Sequence, residues 1–227
     1  MKIGVLITGH PPESLADQFE KYDKFFAKLL EGHGFTFPAW AVLEGEFPGG
    51  PDDADGWLIT GSKYGAYEDL SWIPPLEDLI RAIYAEGRPM VGICFGHQIM
   101  AQALGGKVEK FSGGWSVGAT EYHLTSGETM TLQAFHQDQI VEAPPGAETI
   151  AETDFCKYAG LAYRDNTMSL QPHPEFHADY VGALLDARSG ILPEDIREAA
   201  LANLDEALDT AKAAALIAAA LKAGRAA

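Results

Sequence analysis

The spacing of hydrophobic positions alternates between two periods along the first half of the chain. Lys2 to Thr8 (KIGVLIT) is a continuous apolar run of strand length. Asp17 to Glu31 then carries Phe19, Tyr22, Phe26, Leu29 and Leu30 at helical spacing, before Gly32 and Gly34 end the pattern. FTFPAWAVL and GWLITG read as the next two strands. WIPPLEDLIRAIYAEG reads as a helix with proline in its first turn and Leu76, Leu79, Ile80 and Ile83 along one face, and RPMVGIC follows as another buried strand. Such alternation predicts a largely parallel sheet with helices on both faces. From Gly106 to Leu170 the short runs MTLQAF, ETIAET, AGLAYR and TMSLQ are separated by turn residues and read as strands without long helices. The expected fold is therefore α/β with a mixed, largely parallel central sheet, occupying residues 1–190.

Residues 191–227 read as a C-terminal helical extension. Pro193 with Glu194 and Asp195 marks a helix start, and Leu201, Leu204 and Leu208 form an apolar stripe. A break near Asp209 and Thr210 gives a helical pair, expected to dock on its own domain.

Composition narrows the classes of function. With 227 residues, 47% of them hydrophobic, the chain can bury a sizeable core. A formal net charge of −17 argues against nucleic acid as a partner, because phosphate binding needs a clustered basic face. No segment reads as a signal peptide, and no apolar run approaches the roughly 20 residues of a membrane span. Cys94 and Cys156 are the two cysteines, and neither belongs to a C-x-x-C pair. A disulfide scaffold and a structural zinc site are thus not expected, and a reducing cytoplasm is.

The chemistry concentrates where the strand RPMVGIC turns into the helical run FGHQIMAQALGG. Gly92, Ile93, Cys94, Phe95 and Gly96 have the form of a nucleophile elbow, whose sharp strand-to-helix turn needs small neighbours two residues to either side. Sheets of this kind bind ligands beyond the carboxyl ends of their strands, where Cys94 falls. At the first turn of a helix its thiolate is favoured by the helix dipole. A buried cysteine serving as a small hydrophobe is the alternative. A cysteine nucleophile needs a base, and the base an orienting partner. His173 with Glu175 in QPHPEF supplies one such pair, since residues i and i+2 of an extended segment point the same way and Pro174 favours extension. His136 with Asp138 in FHQDQ supplies another, and His97 is the weakest candidate.

GICFGHQ together with PHPE resembles the class I glutamine amidotransferase family, over a region from about Met1 to Tyr180. The segment GWLITGSKYGAYEDLSWIPPLEDLIR resembles its stand-alone branch, which includes γ-glutamyl peptidases and proteins similar to the amidotransferase half of GMP synthase. The resemblance implies a flavodoxin-like fold and a Cys94, His173, Glu175 triad acting through a γ-glutamyl thioester. It implies an oxyanion hole from the backbone N–H groups of Gly61 and Phe95, although Gly61 also reads as a plain turn glycine. It further implies substrate contacts by Gln98 and by the loop holding His136 and Gln137. No metal or other cofactor is called for.

Three functions are consistent with this: hydrolysis of a small-molecule γ-glutamyl amide or peptide unaided; a glutaminase subunit supplying ammonia to a separate synthetase; or an inactive scaffold. The intact triad makes the last the weakest, and the first is preferred because no acceptor domain is recognisable. An oligomer is compatible with all three.

Overall fold

The computed structural model describes residues 1–223; the last four residues of the expected extension lie outside it. In chain order the elements are β1 (Ile3–Leu6), α1 (Tyr22–Leu29), β2 (Ala39–Trp40), β3 (Gly56–Ile59), α2 (Ile73–Ala85), β4 (Met90–Ile93) and α3 (Phe95–Ala103). There follow β5 (Lys107–Lys110), β6 (Ser116–Leu124), β7 (Thr129–His136), β8 (Asp138–Glu142), β9 (Glu148–Glu152), β10 (Gly160–Arg164) and β11 (Thr167–Leu170). Three helices close the described chain: α4 (Ala178–Ala187), α5 (Glu194–Ala202) and α6 (Thr210–Ala223).

Nine strands form one sheet in the order β2-β1-β3-β4-β11-β10-β9-β6-β7. The first five run parallel, and from β10 onward each strand is antiparallel to its neighbours. A separate antiparallel pair joins β5 to β8. The sheet is mixed, as the change of pattern after Gly106 predicts. Every residue of β1, β3, β4 and β11 is buried, which is why the first three read as continuous apolar runs, while β11 also buries the polar Thr167 and Ser169.

Strand alternation sorts the core into two layers. Leu6, Trp57, Ile59 and Met90 face Leu76, Ile80 and Ile83 of α2 and Phe95, Ile99 and Met100 of α3. Ile3, Val5, Leu58, Val91, Ile93, Met168 and Leu170 face the other way, against Phe26 of α1 and Ala214, Ile217, Ala218 and Leu221 of α6.

The C-terminal segment breaks at residues 203–209 into α5, which packs on β6, and α6, which roofs one face of the parallel half-sheet. The buried face of the pair differs from the expected leucine stripe: Leu201 is exposed and Leu204 and Leu208 are half-buried. Alanines with Ile217 and Leu221 make the contact instead, because small side chains let α6 lie close on the sheet. Asp209 anchors the start of α6 to strand β7, accepting from the Thr131 N–H at 2.8 Å and donating its own N–H to the Thr131 carbonyl at 2.9 Å. The helix expected from Asp17 is also shorter, since Glu13–Leu15 make a single 3-10 turn and α1 starts at Tyr22.

Candidate active site

Because β1, β3, β4 and β11 are parallel, the segments leaving their carboxyl ends meet at one edge of the sheet. They bring Thr8 and Gly9, Thr60 and Gly61, Cys94, and Gln171 to Glu175. Cys94 joins β4 to α3 at φ 53°, ψ −103°, and is the one non-glycine residue with positive φ among the described residues. Holding an L-residue there costs roughly 1–3 kcal/mol and persists only where the surroundings fix it. They do: a Cβ on Gly92 would run into the backbone of Gly96, and one on Gly96 into the carbonyl of Ile59. The glycines two residues either side of Cys94 are therefore steric requirements of the turn.

His173 sits beyond β11 in an extended segment that pairs with Gln133 of β7, its N–H donating to the Gln133 carbonyl at 2.8 Å. Its ring and the Glu175 carboxylate project the same way, Nδ1 to Oε1 at 2.7 Å, and both are buried. The carboxylate accepts, so Nδ1 carries a proton, and the ring's other polar neighbour is the Cys94 thiol. Burial alone would lower the proton affinity of the ring. The facing Glu175 carboxylate and the neighbouring Cys94 sulfur outweigh it and raise His173 to about 10. Phe176 lies flat on the imidazole, centroids 3.9 Å apart and planes within 3°. Gly61 abuts the same ring: a Cβ there would fall 2.9 Å from His173 Cε1 and 3.7 Å from the Cys94 Cβ.

The backbone N–H groups of Gly61 and Phe95 have no hydrogen-bond partner among the described residues. The Gly61 loop is pinned by threonines the sequence did not single out. Thr8 Oγ1 bonds the carbonyls of Thr60 at 2.8 Å and Gly61 at 3.1 Å, while the Gly96 N–H donates to the Thr60 carbonyl at 3.1 Å. Gly9 is needed beside them, since a Cβ would meet the Gly61 carbonyl at 2.7 Å.

The other histidines sit in different chemistry. His136 turns Nδ1 to the main-chain carbonyl of Asp138 at 3.3 Å, whereas the Asp138 carboxylate bonds Tyr67. Burial lowers His136 to about 4, so it is neutral. The alternative His136 and Asp138 carboxylate pair does not form. His97 is fully buried between Ser169 Oγ at 2.7 Å and the Tyr158 carbonyl at 2.8 Å, and burial lowers it to about 3. Cys156 is buried away from the cavity lining, its thiol pushed up to about 12 by burial.

A cavity of about 280 Å³ opens over Cys94 and His173. Gly61, Gln98, His136 and Gln137 line it. Gln98 donates its amide to the Asp138 carbonyl at 2.9 Å and to Gln171 Oε1 at 3.1 Å, and Gln137 donates to the Phe111 carbonyl at 3.4 Å. Sequence reasoning missed a further wall, made by Tyr22, Leu184, Arg188, Ile191 and Leu192. Tyr22 comes from the start of α1, and the other four become cavity lining only when α4 and the turn after it fold over the site.

Comparison with known proteins agrees with this architecture. The family model for class I glutamine amidotransferases matches residues 49–184. The γ-glutamyl peptidase 4 of Arabidopsis thaliana is 28% identical over 202 residues, spanning 82% of this chain and 80% of its own. A GMP synthase of Macrococcus caseolyticus is 33% identical over 138 residues, which cover 57% of this chain but 26% of that protein. A glutamine amidotransferase crystal structure from Thermotoga maritima shares the fold with a TM-score of 0.77, at 19% identity, covering 98% of this chain and 97% of that one. The chain belongs to the class I glutamine amidotransferase family.

Proposed function

We propose that the protein hydrolyses a γ-glutamyl amide bond, in a γ-glutamyl peptide or in glutamine, through a thioester on Cys94. The observation that carries this reading is the elbow cysteine at φ 53° facing a His173 ring that Glu175 holds in one tautomer. Cys94 attacks the γ-carbonyl as thiolate while His173 carries the proton. Negative charge developing on the carbonyl oxygen is met by the N–H groups of Gly61 and Phe95, donors that typically contribute a factor of roughly 10² to 10³ each. The tetrahedral intermediate collapses with cleavage of the C–N bond, and the leaving nitrogen takes the proton from His173 Nε2. His173, now neutral, accepts a proton from the water that attacks the thioester; free glutamate leaves and the thiolate and imidazolium are restored. Glu175 fixes the ring and stabilises its charge throughout. Gln98, His136 and Gln137 hold the γ-glutamyl part.

Similarity to the Arabidopsis γ-glutamyl peptidase over four-fifths of both chains supports hydrolysis of a γ-glutamyl peptide. The GMP synthase likeness supports the second reading, a glutaminase subunit for a separate synthetase. Incubating the purified protein with glutamine and γ-glutamyl dipeptides and measuring released glutamate tests both. Turnover by the protein alone supports the first reading. Turnover seen only when a synthetase is added supports the second.

A further inference from the structure

Five arginines fall within the described residues, and the guanidinium groups of four are engaged. Arg81 bonds Asp78, Arg88 bonds Glu86, Arg164 bonds the Tyr84 carbonyl and Arg197 bonds Asp186. Three of these partners are carboxylates and the fourth is a main-chain carbonyl. Arg188 is the exception: half-buried, it has no side-chain hydrogen bond or ion pair to any described residue, and it lines the cavity over Cys94. A guanidinium held at a concave, partly apolar wall without an anion is a recognition element for a carboxylate.

Its position decides which carboxylate. The chain runs from His173 through Phe176, stacked on the imidazole, into α4, and Arg188 follows the last residue of that helix. Phe176, Leu184, Arg188, Ile191 and Leu192 thus continue the wall on which His173 stands. His173 gives its proton to the leaving nitrogen, so the substituents on that nitrogen lie along this wall. The γ-glutamyl part is assigned to Gln98, His136 and Gln137, which come from α3 and the junction of β7 with β8 and not from this stretch of chain. Ile191 is 57% exposed as the isolated chain stands, yet it lines the cavity beside Arg188 and offers apolar contact to a side chain of the leaving group.

We propose that Arg188 is a specificity-determining residue that pairs with a carboxylate on the leaving-amine half of the substrate, so that γ-glutamyl derivatives of amino acids or short peptides are favoured over glutamine and neutral γ-glutamyl amines. This rests on the reading of Cys94 as a γ-glutamyl hydrolase nucleophile.

The test compares kcat/KM for γ-glutamylglycine, γ-glutamyl methylamide and glutamine in wild type, Arg188→Ala and Arg188→Lys. Wild type should prefer γ-glutamylglycine to the methylamide. In Arg188→Ala that preference ratio should fall roughly 10- to 100-fold, the range for losing a charge-assisted contact in a partly desolvated site. Arg188→Lys should retain part of it, which a purely structural role for the guanidinium would not predict. An unchanged ratio in Arg188→Ala, or an equal loss on all three substrates, overturns the proposal while leaving the hydrolase reading intact; the equal loss would assign Arg188 to the α-carboxylate of the γ-glutamyl group. Wild type inactive on every γ-glutamyl compound overturns both.

Discussion

His173 Nδ1 lies 2.7 Å from Glu175 Oε1, two residues away in the chain, with both side chains buried. Extended backbone puts i and i+2 on one side, and the pairing of His173 with Gln133 holds the segment extended. The carboxylate is thus carried by the same short segment as the ring it orients.

The first prediction concerns the charge on that ring. His173 is raised above its ordinary 6.5 to about 10, so it should stay protonated through neutrality and lose its proton as pH rises through about 10. Its contribution to stability is present in full below 6.5 and fades as pH approaches 10. In Glu175→Gln the facing charge is gone, and the titration should move to lower pH. Histidine NMR resonances report both midpoints, and an unmoved midpoint in the variant would reject the pairing. The same variant should slow turnover by roughly 10²- to 10⁴-fold, as for other mis-oriented catalytic histidines.

A second expectation separates the two cysteines. A glutamine-like electrophile such as diazo-oxo-norleucine should modify Cys94 alone, since Cys156 is buried with its thiol pushed up to about 12. Peptide mapping after labelling decides it, and modification at Cys156 with Cys94 spared contradicts the assignment.

Strain at the elbow gives a stability test independent of activity. Cys94→Gly should be more stable than Cys94→Ala by about 1–2 kcal/mol, the reverse of the usual order for these residues, because glycine accepts φ 53° at little cost. Both should be inactive. Chemical denaturation measures the difference; alanine as the more stable replacement would show that the turn is unstrained.

Histidine replacement separates binding from chemistry. His173→Ala should abolish thioester formation, whereas His136→Ala should chiefly raise KM, because a neutral group lining the cavity contributes to ground and transition states alike. Steady-state kinetics with a burst assay distinguishes these outcomes, and the opposite pattern would move the base to His136.

The last prediction concerns the C-terminal helix. Ile217 is fully buried among Val91, Ile93 and Leu170, so Ile217→Ala should cost roughly 2–5 kcal/mol of stability. Removing α6 altogether bares those residues and should leave an insoluble or partly folded chain, seen as dye binding and lost cooperativity on heating. A stable, cooperatively folding truncation would show that α6 is an accessory.

Sequence alone determined the strands of the parallel half of the sheet and the elbow turn, and offered His173 with Glu175 as one of two candidate pairs, because each is a local pattern. Strands buried on both faces must be continuously apolar, as KIGVLIT, GWLITG and RPMVGIC are, and a turn this tight must have glycine at positions 92 and 96. Strand β6 was not legible: SVGATEYHL mixes polar and apolar residues because half of its positions are only partly covered, and its partners β7 and β9 follow later in the chain. The face of α6 escaped notice too, since a contact built on alanine carries little hydrophobic contrast. Only tertiary structure distinguished the surroundings of His173 from those of His136, giving one a carboxylate and the other a carbonyl at the same i, i+2 spacing. It alone placed Thr8 under Gly61 and Arg188 over the cavity, because those contacts join segments whose separation in the chain leaves no periodic trace.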